Sequence, residues 1–197
     1  MTVRLLTAAG RVAVPWKNGG GVTREIVAGP EGAGMDGFRW RVSLADVGAD
    51  GPFSSFAGVD RTLTMVEGEG MDLTVGGEHR RVDRLFVPRS FPGDLPTDCR
   101  LLGGPVVNLN VMWRRDGGAD PVVTVAPGGS AVTVPAGPEV LIVALDGAAE
   151  VAGLTLARYD AALLSGEDAV LRPAGRAAVV RLTGAPGPAP GPVPTGP

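Results

Sequence analysis

The chain of 197 residues holds one cysteine, one histidine, one lysine and one tyrosine. A single Cys99 excludes an internal disulfide, which makes a reducing compartment the default. His79 stands alone in the polar turn Gly76–Arg80 with no cysteine cluster, so the His-rich ligand set that holds a transition metal cannot be built. No spacing of carboxylates points to a magnesium or calcium site either, and no metal or other cofactor is expected. No apolar run reaches membrane-spanning length and no leader pattern opens the chain, which predicts a soluble cytoplasmic protein without a membrane partner. The net charge of −3 spreads arginines among acids, with only the pairs Arg80-Arg81 and Arg114-Arg115 adjacent. That argues against nucleic acid as a partner. There is no Gly-x-Ser-x-Gly, no Cys–His pair, and no phosphate-cradling loop leading into a helix.

What the chain does have is 31 glycines and 18 prolines among 44% hydrophobic residues. Such punctuation leaves little room for long helices and predicts an all-β fold of many short strands joined by turns. Residues 3–14 read as a first strand. They run into Pro15-Trp16-Lys17-Asn18-Gly19-Gly20-Gly21-Val22-Thr23-Arg24-Glu25-Ile26, where an indole, the only lysine and an amide precede three glycines and an alternating strand. Glycines admit backbone angles and close approaches closed to other residues.

Residues 29–37 are a loop by composition. Phe38 to Ala45 alternates, with Trp40, Val42 and Leu44 on one face and Arg39, Arg41, Ser43 and Ala45 on the other. Alternation alone reads that second face as solvated. Asp50-Gly51-Pro52 is a turn, and Asp60-Arg61 reads as a local ion pair that positions a loop. Residues 62–66 and 71–75 flank a glycine-containing turn and read as a hairpin, with another strand at 84–88. Asn108, Asn110, Met112 and Arg114 share one strand face.

Four blocks in order resemble the HutD/Ves family of the cupin superfamily. They are Trp16-x-Asn18-Gly19-Gly20-Gly21-x-Thr23-x-Glu25-Ile26, Asp50 to Arg61, Phe91-Pro92-Gly93-Asp94, and Gly104 to Arg115. The recurring Trp40-Arg41-x-Ser43 lies among them. Ala57, Asn108 and Leu109 stand where the family carries Pro, Asp and Phe. The resemblance spans residues 3 to 183 and is densest before Arg115. It implies a cupin fold and a link to histidine utilisation through sensing or buffering of a pathway acid.

From Pro121 the chain echoes itself: Leu63–Gly68 in Ile142–Gly147, Val82–Val87 in Tyr159–Leu164, and Val106-Val107 in Ala177–Leu182. Two copies of a short-strand module predict a bicupin, two cupin-type double-stranded β-helix (jelly-roll) barrels in one chain. The expected domains are 1–115, an N-terminal barrel carrying the pocket, and 116–183, a smaller structural barrel. Residues 184–197 are expected to be a disordered Pro/Gly tail. Eight of the nine aromatics precede Arg114, and the later half lacks His, Trp, Lys and Asn, which assigns the site to the first barrel.

The candidate ligand-binding residues are Trp16, Asn18, Gly20, Thr23, Glu25, Arg41, Ser43, Asn108, Asn110, Met112 and Arg114. Arginine offers a fork that matches a carboxylate, Asn amides read formyl, amide or imidazole groups, and Trp16 supplies an apolar wall. Two classes stay open. One is a binding protein for a small carboxylate such as urocanate, formiminoglutamate or N-formylglutamate. The other is a metal-free isomerase or hydrolase using Glu25 as base near Lys17. A partner-dependent regulator and a homodimer are compatible with the same residues.

Overall fold

A computed structural model describes residues 1–182; the segment read above as a tail lies outside the described residues. Among the described residues every regular element is a strand except one 3-10 turn, Arg115–Gly117, and no helix is long and apolar enough to cross a membrane. The strands form four antiparallel sheets.

The first barrel opposes a six-stranded and a four-stranded sheet. The larger runs β2 (Ala13–Pro15), β3 (Gly21–Gly29), β4 (Trp40–Val47), β11 (Val106–Arg114), β6 (Val59–Glu67) and β9 (Arg89–Pro92). The smaller runs β5 (Gly51–Phe53), β10 (Thr97–Leu101), β7 (Met71–Val75) and β8 (Glu78–Val82). The second barrel repeats the plan. Its larger sheet is β1 (Thr2–Leu6), β17 (Ala161–Ser165), β14 (Glu139–Ala144), β19 (Ala177–Leu182) and β12 (Val122–Ala126). Its smaller sheet is β13 (Val132–Val134), β18 (Ala169–Pro173), β15 (Ala149–Val151) and β16 (Leu154–Leu156). The run β4-β11-β6-β9 corresponds to β12-β19-β14-β17, and β5-β10-β7-β8 to β13-β18-β15-β16. The all-β architecture is the one the sequence predicts, and the two pairs of sheets are consistent with the expected bicupin.

The two larger sheets pack back to back. Trp40, Val42, Leu44, Leu109, Val111 and Trp113 meet Leu141, Val143, Leu145, Ala178 and Val180 in one buried cluster. Each barrel then has its own interior, around Leu63, Met65, Leu73 and Phe91 in the first and Ile142, Leu156 and Leu171 in the second. Burying each such side chain contributes roughly 1.5–3 kcal/mol. A central sheet in this stack has no solvated face, so the face of β4 expected to meet water instead lines its own barrel.

Three local expectations fail. Residues 3–14 form two strands in different sheets: β1 pairs with β17 of the later half, while β2 pairs with β3. Strands β6 and β7 are not a hairpin. They lie in opposed sheets and face the same core through Leu63, Met65, Met71 and Leu73, a pattern that alternation cannot tell from pairing. Residues 84–88 are a turn in which Phe86, at φ 64°, donates its N–H to the Met65 carbonyl at 2.8 Å. Tyr159, at φ 67°, does the same to Ala144 at 2.7 Å. The equivalent of Tyr159 is therefore Phe86 and not Val82, so the second of the three echoes slips by four residues while the Leu63–Ile142 echo holds.

Candidate functional site

The inner face of the larger first-barrel sheet follows from strand register. Ser43 stands beside Asn110, which stands beside Leu63; Ala45, Asn108 and Met65 make the next rung, and Arg41, Met112 and Arg61 the one on the other side. Glu25 pairs in register with Ser43, and Thr23 with Ala45. Because side chains alternate, all of these point away from the inter-barrel cluster into the first barrel.

The centre of this face is Arg61. Its side chain is buried, with the guanidinium 5.3 Å from the Phe53 ring centroid and 5.2 Å from that of Phe91. Nε and Nη2 both donate to Asn110 Oδ1 at 3.3 Å. Among the described residues no carboxylate lies within ion-pair reach of it. Burial lowers its pKa from 12.5 to about 10, so it still carries its charge at neutral pH. Close by on the same face, Ser43 Oγ and both side-chain polar atoms of Asn108 are buried without a hydrogen-bond partner. Buried polar groups without partners are costly, and a buried cation with neutral donors and acceptors on one face has the chemistry to receive an anion.

The rim is formed by Glu25 and Arg41, which pair at 2.6 Å with Arg41 largely covered and Glu25 half exposed. Trp16 donates its indole N–H to Thr23 Oγ1 at 2.8 Å and packs edge-on to Phe53 at 5.7 Å. A continuous aromatic contact thus runs from the glycine motif through Phe53 to Arg61. The motif itself closes the β2–β3 connection, with Trp16 N–H donating to the Gly21 carbonyl at 2.9 Å. Gly21 has no alternative, because a Cβ there would lie 2.3 Å from the Asp46 carbonyl oxygen.

Of the residues expected at a site, Asn110 holds Arg61, Ser43 and Asn108 lie on successive rungs of the same face, and Thr23, Glu25, Arg41 and Trp16 border it. Met112 lies on that face but packs with Ala28, Phe38 and Val59 at one end. Arg114 reaches the surface beside Asp116 at 3.9 Å. Asn18 serves the loop: its Nδ2 donates to the Pro52 carbonyl at 3.0 Å and its Oδ1 accepts from Gly20 N–H at 3.1 Å. The Gly20 carbonyl is taken by Gly48 N–H at 2.9 Å. Lys17 is exposed, and Glu25 pairs with Arg41.

Arg61 is the residue that sequence reasoning missed, by reading it as a partner of Asp60. Asp60 accepts instead from Arg115, at 2.6 Å, and Arg115 also holds Asp94 at 2.6 Å. The available signal was phase, since Arg61 alternates in step with Leu63 and Met65.

This inner face offers a guanidinium, amides, a hydroxyl and methionines, with no imidazole. It does not fit a transition metal. Among the described residues no group of three His, Cys, Asp or Glu is placed to hold a metal ion.

The HutD family model matches residues 8–180. A protein in the hutC 3′ region of Pseudomonas putida is 42% identical over 111 residues, 56% of this chain and 58% of that one. Protein Ves of Cronobacter sakazakii is 35% identical over 102 residues, 51% of this chain and 55% of that protein. The matched stretch thus spans a little over half the length of these relatives. Among solved structures, HutD from Pseudomonas fluorescens SBW25, in a formate condition, is 34% identical at a TM-score of 0.82, covering 93% of this chain and 100% of that one. The nickel complex of the pirin YhhW from Escherichia coli, 11% identical at a TM-score of 0.69, shares the fold.

Proposed function

The chain belongs to the HutD family, and on that footing we propose that its first barrel binds a small carboxylate without a metal. The reading carries the family's histidine link to this chain: the protein senses or buffers an acid of histidine breakdown, such as N-formylglutamate, formiminoglutamate or urocanate, and so regulates histidine utilisation. The observation that carries it is Arg61, a buried guanidinium with no acid partner among the described residues.

A carboxylate placed against Arg61 restores the charge balance that burial removed, through the strongest class of hydrogen bond available to it. Ser43 and Asn108 supply a hydroxyl and an amide for the ligand's remaining polar atoms. Phe53, Phe91 and Trp16 exclude water and so strengthen the contact.

The test is thermal unfolding with formate, N-formylglutamate, formiminoglutamate, urocanate, glutamate and histidine. A ligand at a hundred times its dissociation constant adds about 2.7 kcal/mol. One acid should raise Tm in the native protein and fail to do so in Arg61→Met. Identical unfolding curves with every acid would refute the proposal.

A further inference from the structure

A second cleft of 510 Å³ opens at one end of the seam between the barrels. Both halves of the chain build it. Glu31, Arg39 and Trp40 come from the first half, and Arg4, Glu139 and Leu163 from the larger sheet of the second barrel. Nothing in the carboxylate site uses any of these side chains.

Its floor is set by strand phase. Along β14 the face turned to the other barrel runs Leu145, Val143, Leu141 and then Glu139. The first three are fully buried, and Glu139 continues the row, so a carboxylate ends an otherwise apolar stripe. The Trp40 ring, part of the same apolar cluster, lines the cleft with it. Burial raises the Glu139 pKa, and the charges of Arg39 and Arg4 oppose that rise. At the rim Arg4 meets Glu31 at 2.6 Å, an exposed contact that an incoming group can exchange at little cost. The cleft therefore carries two positive and two negative side chains, with a half-buried carboxylate at its inner end and an exchangeable arginine at its outer end. Leu163, Leu182 and Pro138 form its apolar wall.

We propose that this inter-barrel cleft is a second ligand site and that it takes a free α-amino acid, the ammonium on Glu139 and the carboxylate on Arg4. A single anion would set its charge beside Glu139, and a simple amine would leave the arginine end unmatched. A zwitterion satisfies both ends at once. Its volume falls in the range of small-ligand sites, about 300–1,000 Å³.

Trp40 lines the cleft with Glu139, and with Trp16 and Trp113 it gives one of three indole signals. The experiment follows these signals in the full-length ¹⁵N-labelled protein, assigning Trp40 by Trp40→Phe, as each standard L-amino acid is added. For any responding amino acid, its decarboxylated amine and its deaminated acid are added in turn. The expected result is a shift of the Trp40 signal by one or a few amino acids. Both analogues should bind at least about tenfold more weakly, since each loses a hydrogen bond to a charged group. Glu139→Gln and Arg4→Gln should each weaken binding by a similar factor while spectral dispersion shows the fold intact, and Arg61→Met should leave it unchanged. The proposal is overturned if no amino acid moves the Trp40 signal, or if Glu139→Gln and Arg4→Gln both bind the amino acid as tightly as the native protein does. Loss of the response in Arg61→Met alone would also overturn it, because the ligand would then sit in the barrel.

Discussion

Replacing Arg61 with methionine should remove carboxylate binding without lowering, and even while raising, the stability of the ligand-free protein. Burial brings the Arg61 pKa from 12.5 to about 10. At about 1.36 kcal/mol per unit, the fold disfavours the charged form by roughly 3 kcal/mol relative to water. Below pH 10 the group is protonated both folded and unfolded, so the penalty is fully present at neutral pH. Between the two values the unfolded chain holds more of the proton, so stability should rise as pH climbs through 10. Methionine keeps an unbranched apolar chain between Phe53 and Phe91 and removes the charge. It leaves Asn110 Oδ1 without its two donors, costing about 1–3 kcal/mol. The balance is between about 0 and 2 kcal/mol in favour of the variant. For a chain of this size that is a Tm rise of between zero and about 8 °C. Denaturant unfolding with and without the responding acid measures both quantities. A variant that loses more than about 2 kcal/mol and yet responds to the acid like the native protein would show that Arg61 is a structural group and refute the reasoning.

Asn108→Asp places a carboxylate one rung from Asn110, which accepts from Arg61, and so adds an attraction to that buried cation. It should stabilise the ligand-free protein and weaken acid binding by at least about tenfold, read by thermal shift. Gly21→Ala should cost about 2 kcal/mol or more, since its Cβ would meet the Asp46 carbonyl at 2.3 Å. Gly19→Ala, with open space but φ 72°, should cost nearer 1 kcal/mol; denaturant midpoints separate the two. Burial pushes the Cys99 thiol from 9.0 up to about 12. The unfolded chain therefore loses this proton first, and stability should fall as pH rises above 9, a slope that Cys99→Ala reduces. A thiol reagent at pH 8 should leave the native protein unlabelled; rapid labelling would contradict the burial.

Much of the fold was legible because glycine punctuation and strand alternation mark short β elements, and because the echo of Leu63–Gly68 in Ile142–Gly147 marks the repeat. What alternation cannot carry is partner choice. Strands β6 and β7 alternate alike whether paired or stacked across a core, and only the larger sheets' back-to-back packing tells Arg41 and Ser43 that both faces of their strand are covered. Ser43, Asn108 and Asn110 were legible through phase together with resemblance. Arg61 was not, because its neighbour Asp60 offered a local ion pair that sequence distance makes attractive. Arg115, far away in the chain, takes that acid instead.

Strand β1 is hydrogen-bonded to β17, from Thr2 against Ser165 to Leu6 against Ala161. During synthesis at about 5–20 residues per second, β1 leaves the ribosome on the order of ten seconds or more before its partner exists. The first barrel can close during that interval; the second cannot acquire its outermost strand until β17 has been made. Pairing of β1 is therefore a late step, in which one of the first strands to be made is held by one of the last.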